Sequence, residues 1–210
     1  MLELLSPAGS PEAVIAAVQN GADAVYLGFG DYNARRGAKN FTGEEFERAA
    51  RYCRIRGCKL YVTMNTLVND RELEGAVQCA RMASKYGADG LIIQDLGLIR
   101  ILREAVPDLP LHASTQMSIH NLAGAEAAAE MGLKRVVLAR ELNFDQIRFI
   151  TKTAPSRRRS LSTARSASAI PGSAICPLSS GEGAETAACA PSPAACSIRS
   201  AGGWTIIRSL

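Results

Sequence analysis

Short apolar runs alternate with longer segments of helical spacing through the first 155 residues. The runs are Leu2–Leu5, Ala24–Leu27, Lys59–Thr63, Gly90–Gln94, Pro110–Ala113 and Arg135–Leu138. They are continuous rather than alternating, the pattern of strands buried on both faces. Between them the spacing predicts helices over 11–20, 43–56, 70–86, 96–105, 121–131 and 143–153. The result is a series of six βα units, each about 25 residues long.

The helix boundaries carry their own chemistry. Ser10-Pro11-Glu12 places a capping hydroxyl before a proline at the first helical position. Thr42 and Glu45 have the spacing of a capping box. Asn69-Asp70-Arg71-Glu72 offers a further N-cap with acids near the positive helix end. Gly21, Gly57, Gly87 and Gly132 each follow a helical run, where a left-handed residue ends the helix.

Three phrases nearly repeat: Asn20-Gly21-Ala22-Asp23-Ala24-Val25, Tyr86-Gly87-Ala88-Asp89-Gly90-Leu91 and Met131-Gly132-Leu133-Lys134-Arg135-Val136. Each closes a helix with glycine and enters a strand, as a strand–helix array on a parallel sheet requires. The short period and the polar residues at most strand ends favour a (β/α) barrel over an open doubly wound sheet. Gly28-Phe29-Gly30 follows the second strand, but Asn33 stands where a dinucleotide fingerprint needs its third glycine. A closed barrel of this kind has eight strands, and six are visible. The predicted fold is therefore α/β, an incomplete TIM-like barrel followed by an irregular or disordered tail.

Composition divides the chain at the same place. Residues 1–155 hold 18 Lys+Arg and 18 Asp+Glu, so the formal net charge of +4 lies entirely in residues 156–210. That tail contains 12 Ser and 11 Ala, and no Val, Phe, Tyr, Met, Asn, Gln, His, Asp or Lys. A neutral ordered part argues against a strongly basic nucleic-acid platform and predicts no DNA partner. No apolar run approaches the roughly 18 residues of a spanning helix, so no membrane partner is expected. The N-terminus lacks a basic region followed by a long apolar one, so a cytoplasmic protein with reduced thiols is expected.

Several phrases together resemble a known family. They are Leu4-Leu5-Ser6-Pro7-Ala8-Gly9, Gly21 to Gly28, Asn33-Ala34-Arg35, Tyr61-Val62-Thr63-Met64-Asn65-Thr66, His112 to Ser118 and Arg140-Glu141-Leu142. This set is similar to the collagenase-like peptidase family U32, over residues 1 to 155. The resemblance implies a TIM-barrel catalytic domain. Members include peptidases, some of them collagenases. Others act in oxygen-independent hydroxylation of tRNA, of ribosomal RNA or of a ubiquinone precursor. Those relatives carry a cysteine-ligated iron–sulfur cluster, and the RNA-modifying ones depend on prephenate. The partners implied for intact relatives are thus tRNA or rRNA, or a protein or peptide substrate.

The tail departs from the family. The cysteine-rich signature expected after the seventh strand is missing from 156–210. Ser162–Ala167 matches a one-base-shifted reading of codons for Val-His-Gly-Ala-Leu-Cys, and Ala190–Ala194 matches a shifted Cys-Ala-Gln-Pro-Cys-Arg. The tail is therefore read as out of frame, the alternative being a genuine Ser/Ala/Arg-rich disordered segment. On this reading the chain holds no cofactor and no metal, is inactive, and leaves barrel edges exposed so that it folds poorly. For the intact family member RNA or small-molecule hydroxylation is favoured. A protease and a non-catalytic fragment are the alternatives.

Candidate site residues follow from strand ends, since barrel enzymes place their chemistry at the C-terminal face. His112 lies in the fifth strand, just before Ser114, Thr115 and Gln116. It is either a proton shuttle or donor to a carboxylate, or a satisfied core histidine. Asn65, Gln94-Asp95 and Arg140-Glu141 end the third, fourth and sixth strands. Glu141 and Asp95 join His112 as catalytic candidates, although Asp95 could instead cap a helix. Asn65, Gln94, Gln116, Arg140 and Arg35 are the substrate-binding candidates, with Arg140 a carboxylate clamp and Arg35 facing a phosphate or carboxylate, or else solvent. Cys53, Cys58 and Cys79 read as small buried hydrophobes. No metal ligands are assigned.

Overall fold

The computed structural model describes residues 2–34 and 40–153, and in the C-terminal stretch the strand backbones at 161–162, 165–166 and 205–208. The elements are β1 (Leu2–Pro7), α1 (Pro11–Gln19), β2 (Ala24–Gly28), α2 (Gly43–Ile55), β3 (Lys59–Met64) and α3 (Leu73–Tyr86). They continue as β4 (Gly90–Ile93), α4 (Leu96–Ala105), β5 (Leu111–Ala113), α5 (Leu122–Glu130), β6 (Arg135–Val137) and α6 (Phe144–Thr153). Strands β1 to β6 lie side by side in chain order, each neighbouring pair parallel. The expected six-unit partial barrel is the observed fold.

Local signals explain most helix ends. Ala13 N donates to Ser10 Oγ at 3.2 Å, ahead of Pro11 in the first turn of α1. At α2 both halves of the capping box form: Glu45 N to Thr42 Oγ1 at 3.2 Å and Thr42 N to Glu45 Oε2 at 3.0 Å. The third helix corrects its predicted start. Asn69 does not cap it; Asn69 Oδ1 accepts from Arg71 N, closing a tight turn, and α3 begins at Leu73. A side-chain bond two residues on competes with the cap geometry.

The repeated Gly-Ala-Asp phrase sets the parallel register. After each helix-ending glycine, the aspartate reaches back to the preceding strand. Leu4 N donates to Asp23 Oδ2 at 2.7 Å, and Leu60 N to Asp89 Oδ2 at 2.8 Å. The aspartate backbones bond the same residues, Asp23 N to Leu4 O and Asp89 N to Leu60 O. Strand β2 is thereby pinned to β1, and β4 to β3, before pairing starts.

The strands bury both faces. Val25, Leu27, Leu60, Val62, Met64, Leu91 and Ile93 pack on the helices, with Val14, Phe46, Ala80 and Leu98. On the opposite face Leu5, Ala24, Tyr61 and Ile92 form a separate cluster, the barrel lumen, with Tyr26 against it. Gly90 belongs to this inner face. A Cβ there would lie 3.3 Å from the rings of both His112 and Tyr61, and 2.9 Å from Pro110 O.

Three short strands are described in the tail. Strand β7 (Leu161–Ser162) pairs in parallel with β6. Strand β9 (Thr205–Arg208) runs antiparallel along β1, and β8 (Arg165–Ser166) pairs with β9. The tail therefore contains strands, and both edges of the six-stranded sheet have partners. Ile206 and Ile207, too short a run to read as a strand, pair with Leu4 and Glu3 because an open strand edge is a template for any extended segment. The remaining residues after Thr153 lie outside the described part.

Candidate functional site

A cavity of about 270 Å³ opens at the C-terminal ends of the strands. Its floor is the upper lumen, Leu5, Tyr26 and Ile92. Its walls are polar: Asn33, Asn40, Thr63, Asn65, Ser114, Thr115 and Gln116, with Arg140 beside Val137 and Phe41 on the loop after β2.

Several polar wall residues are held by specific bonds. Thr63 Oγ1 donates to Leu27 O at 3.1 Å across the β2–β3 pair. Asn65, just beyond β3, accepts from Ala34 N at 3.1 Å, tying the strand end to the loop after β2. Ser114 N donates to Ile93 O, and Ser114 Oγ accepts from Gln116 N at 3.2 Å. That bond caps the 3₁₀ turn Thr115–Met117, which carries Gln116 into the wall and ends at Ser118 in a left-handed conformation.

Asn33 is the most constrained member. It is 1% exposed, and its Nδ2 donates to Gly30 O at 2.8 Å and to Asn40 Oδ1 at 3.1 Å. Asn40 Nδ2 donates to the same carbonyl at 2.9 Å. Both amides converge on one turn, so the loop after β2 is fastened over the cavity. The Asn33 amide occupies the space of the missing Gly28 side chain, since a Cβ there would sit 2.9 Å from it.

The sequence-derived candidates divide accordingly. Asn65, Gln116 and Arg140 line one cavity. Gln94, directly after β4, and the exposed Glu141 are not among its lining residues. Asp95 accepts from Leu98 N at 2.8 Å as the N-cap of α4, and from Val68 N at 3.3 Å, which holds the β3–α3 loop. Arg35 lies outside the described residues, next to the cavity-lining Ala34. Asn33, Asn40, Thr63 and Ser114 were missed as site residues. For Asn33 the signal was its place in the phrase Asn33-Ala34-Arg35.

His112 belongs to a deeper layer. Its ring meets Tyr61 edge-on at 4.8 Å, within the lumen and away from the cavity lining. Beside it Glu3 accepts two hydrogen bonds from Arg135, at 3.1 and 2.7 Å, and one from Tyr61 Oη at 3.2 Å. Burial would raise the Glu3 pKa, but the Arg135 guanidinium and Lys59 hold the carboxyl below its usual range. Burial, with the positive Arg135 nearby, pushes the imidazole down to about 3. His112 is thus neutral at physiological pH and acts here as a lumen-packing ring.

The described cysteines do not fit an iron–sulfur cluster. Cys53 and Cys58 sit together at the end of α2, and Cys79 is buried in α3, where its thiol donates to Phe29 O. Among the described residues no three His, Cys, Asp or Glu side chains gather as metal ligands. A cluster needs several convergent thiolates. No described helix is long and apolar enough to cross a membrane.

Residues 9–163 match the sequence profile of Peptidase family U32. The chain belongs to this family. Over 149 residues it is 40% identical to a 23S rRNA 5-hydroxycytidine synthase of Escherichia coli, covering 71% of this chain and 22% of that protein. It is 37% identical over 146 residues to tRNA hydroxylation protein P1 of Bacillus subtilis, covering 70% and 35%. It is 36% identical over 152 residues to a collagenase of Porphyromonas gingivalis, covering 72% and 36%. The chain thus spans between about a fifth and just over a third of these U32 relatives. A solved U32 peptidase superposes with a TM-score of 0.63 at 17% identity, over 78% of this chain and 67% of that one, and shares the fold.

Proposed function

We propose that this chain is a barrel region of an RNA-hydroxylating U32 enzyme, and that the mouth cavity receives the planar group to be modified. The observation that carries the reading is the convergence of neutral amides and hydroxyls with one arginine at the barrel mouth. Asn65 and Gln116 offer the donor–acceptor pairs that read a base edge. Arg140 offers a fork for a carboxylate or phosphate. At about 270 Å³ the cavity falls just below the range of roughly 300–1,000 Å³ usual for drug-sized ligands, so it suits one small ring better than an extended peptide.

A peptidase reading has less support from the geometry. Among the described residues no serine or cysteine side chain is hydrogen-bonded to a histidine, and His112 is packed below the cavity. The relative named collagenase keeps peptide cleavage as the competing outcome. The shifted-frame reading of residues 156–210 remains our proposal for the tail, and implies that this chain is inactive without its frame-corrected form.

The test is deletion of the encoding locus, followed by mass spectrometry of nucleosides from total tRNA and rRNA. A hydroxylated pyrimidine should disappear, and the frame-corrected gene should restore it while the present one does not. An unchanged nucleoside profile, together with gelatin cleavage by the purified protein, would overturn the reading. Sequencing the coding DNA past Ala154 tests the tail independently, because neither shifted frame should encode the cysteine signature if the tail is genuine.

A further inference from the structure

We propose that Cys53 and Cys58 form an oxidisable thiol pair, closing to a disulfide across the C-terminal cap of α2. Their juxtaposition is built by the backbone. Cys58 N donates to Cys53 O at 3.0 Å and Gly57 N to Arg54 O at 3.1 Å, the two bonds of a Schellman motif. Gly57 supplies its left-handed residue, with φ of 69°. This motif brings together the side chains three positions before and two positions after the helix cap, a contact usually made by two hydrophobes. Here both positions are cysteines, with the Cys58 thiol donating to Lys59 O at 3.6 Å and the two buried sulfurs interacting electrostatically. A disulfide needs the two Cα atoms within about 4.4–6.8 Å, a separation compatible with the 6→1 backbone bond.

The site is shielded but shallow. Cys53 is 1% and Cys58 5% exposed, whereas residues 54–57 between them are all exposed. Fraying of one helical turn opens the pair to a small oxidant. The Cys58 thiol, assisted by Arg56, holds the Cys53 thiol below its usual range against the effect of burial, and Cys58 itself is pushed up. With Cys53 taken as the attacking sulfur, Cys58 resolves.

With a peroxide as oxidant, the Cys53 thiolate attacks one oxygen, the O–O bond breaks, and water leaves after taking up a proton. The resulting sulfenic sulfur is attacked by the Cys58 sulfur. An S–S bond forms, the S–O bond breaks, and a second water leaves with the Cys58 proton. Two thiols lose two electrons and two protons, and the peroxide is reduced to two waters.

The full chain is treated with hydrogen peroxide, blocked with iodoacetamide under denaturing conditions and digested with trypsin. Cleavage at Arg51, Arg54, Arg56 and Lys59 places the two cysteines on separate peptides, 52–54 and 57–59. These peptides should appear joined, and part on reduction. The joined species should be absent without oxidant and in C58S, and retained in C79S. Recovery of both cysteines fully alkylated after oxidation, or of Cys53 joined to Cys79 or to a tail cysteine instead, would overturn the proposal.

Discussion

Replacing Glu3 with alanine removes the carboxylate that Arg135 grips with two hydrogen bonds in the barrel lumen. The pair is 132 residues apart in sequence, and its side chains are 11% and 8% exposed. Screening by solvent is therefore slight, and E3A leaves a buried guanidinium without its counter-charge. Breaking such a pair from one side costs about 3–5 kcal/mol. A domain of this size is stable by roughly 5–15 kcal/mol, so the loss is a large fraction of the total. Lys59 lies 3.8 Å from Glu3 but is 55% exposed, and its contribution stays below about 1 kcal/mol. Urea unfolding followed by far-UV circular dichroism reads the effect as a fall in midpoint of at least about 1 M. The double variant E3L/R135M replaces the pair with apolar volume and should recover most or all of the loss. A loss under about 1 kcal/mol for E3A, or a double variant as unstable as the two single losses added, would refute the argument.

Three further outcomes follow from the same geometry. His112 is held down to about 3, whereas an unfolded imidazole titrates near 6.5. Its contribution is complete above pH 6.5 and is lost as pH falls toward 3, because the unfolded chain binds the proton first. The slope approaches about 1.4 kcal/mol per pH unit, and H112F should flatten it in pH-dependent denaturation. A Gly28→Ala change pushes a methyl into the Asn33 amide and should cost about 1–3 kcal/mol in thermal melts, weakening any ligand of the cavity as well. Arg140 is exposed at the mouth, so R140Q should shift stability by no more than about 0.5 kcal/mol while lowering affinity for RNA in a filter-binding assay.

The short-range part of this molecule was legible in its residues. Ser10, Thr42 with Glu45, and Asp95 form caps with groups three residues away, and the glycines at 21, 57, 87 and 132 take the positive φ expected of them. Six strand–helix units and their order followed from the same local rules. Asn69 shows their limit, because two nearby backbone groups competed for one side chain.

What tertiary structure alone decided is which face of each strand a side chain takes and how deep it lies. Strands buried on both sides carry no polar alternation, so the position of His112 in the sequence could not separate the lumen from the mouth. Its layer is set by strand register, which opposes His112 to Arg135 and Ile92 and places its ring on Tyr61. Long-range partners were equally hidden: Glu3 with Arg135, Asn65 with Ala34, and β9 with β1. The sequence by itself determined the βα units, most of the caps read from it and the family. The fold decided which residues meet, because contacts between distant strands exist only once the sheet has curled and brought them together.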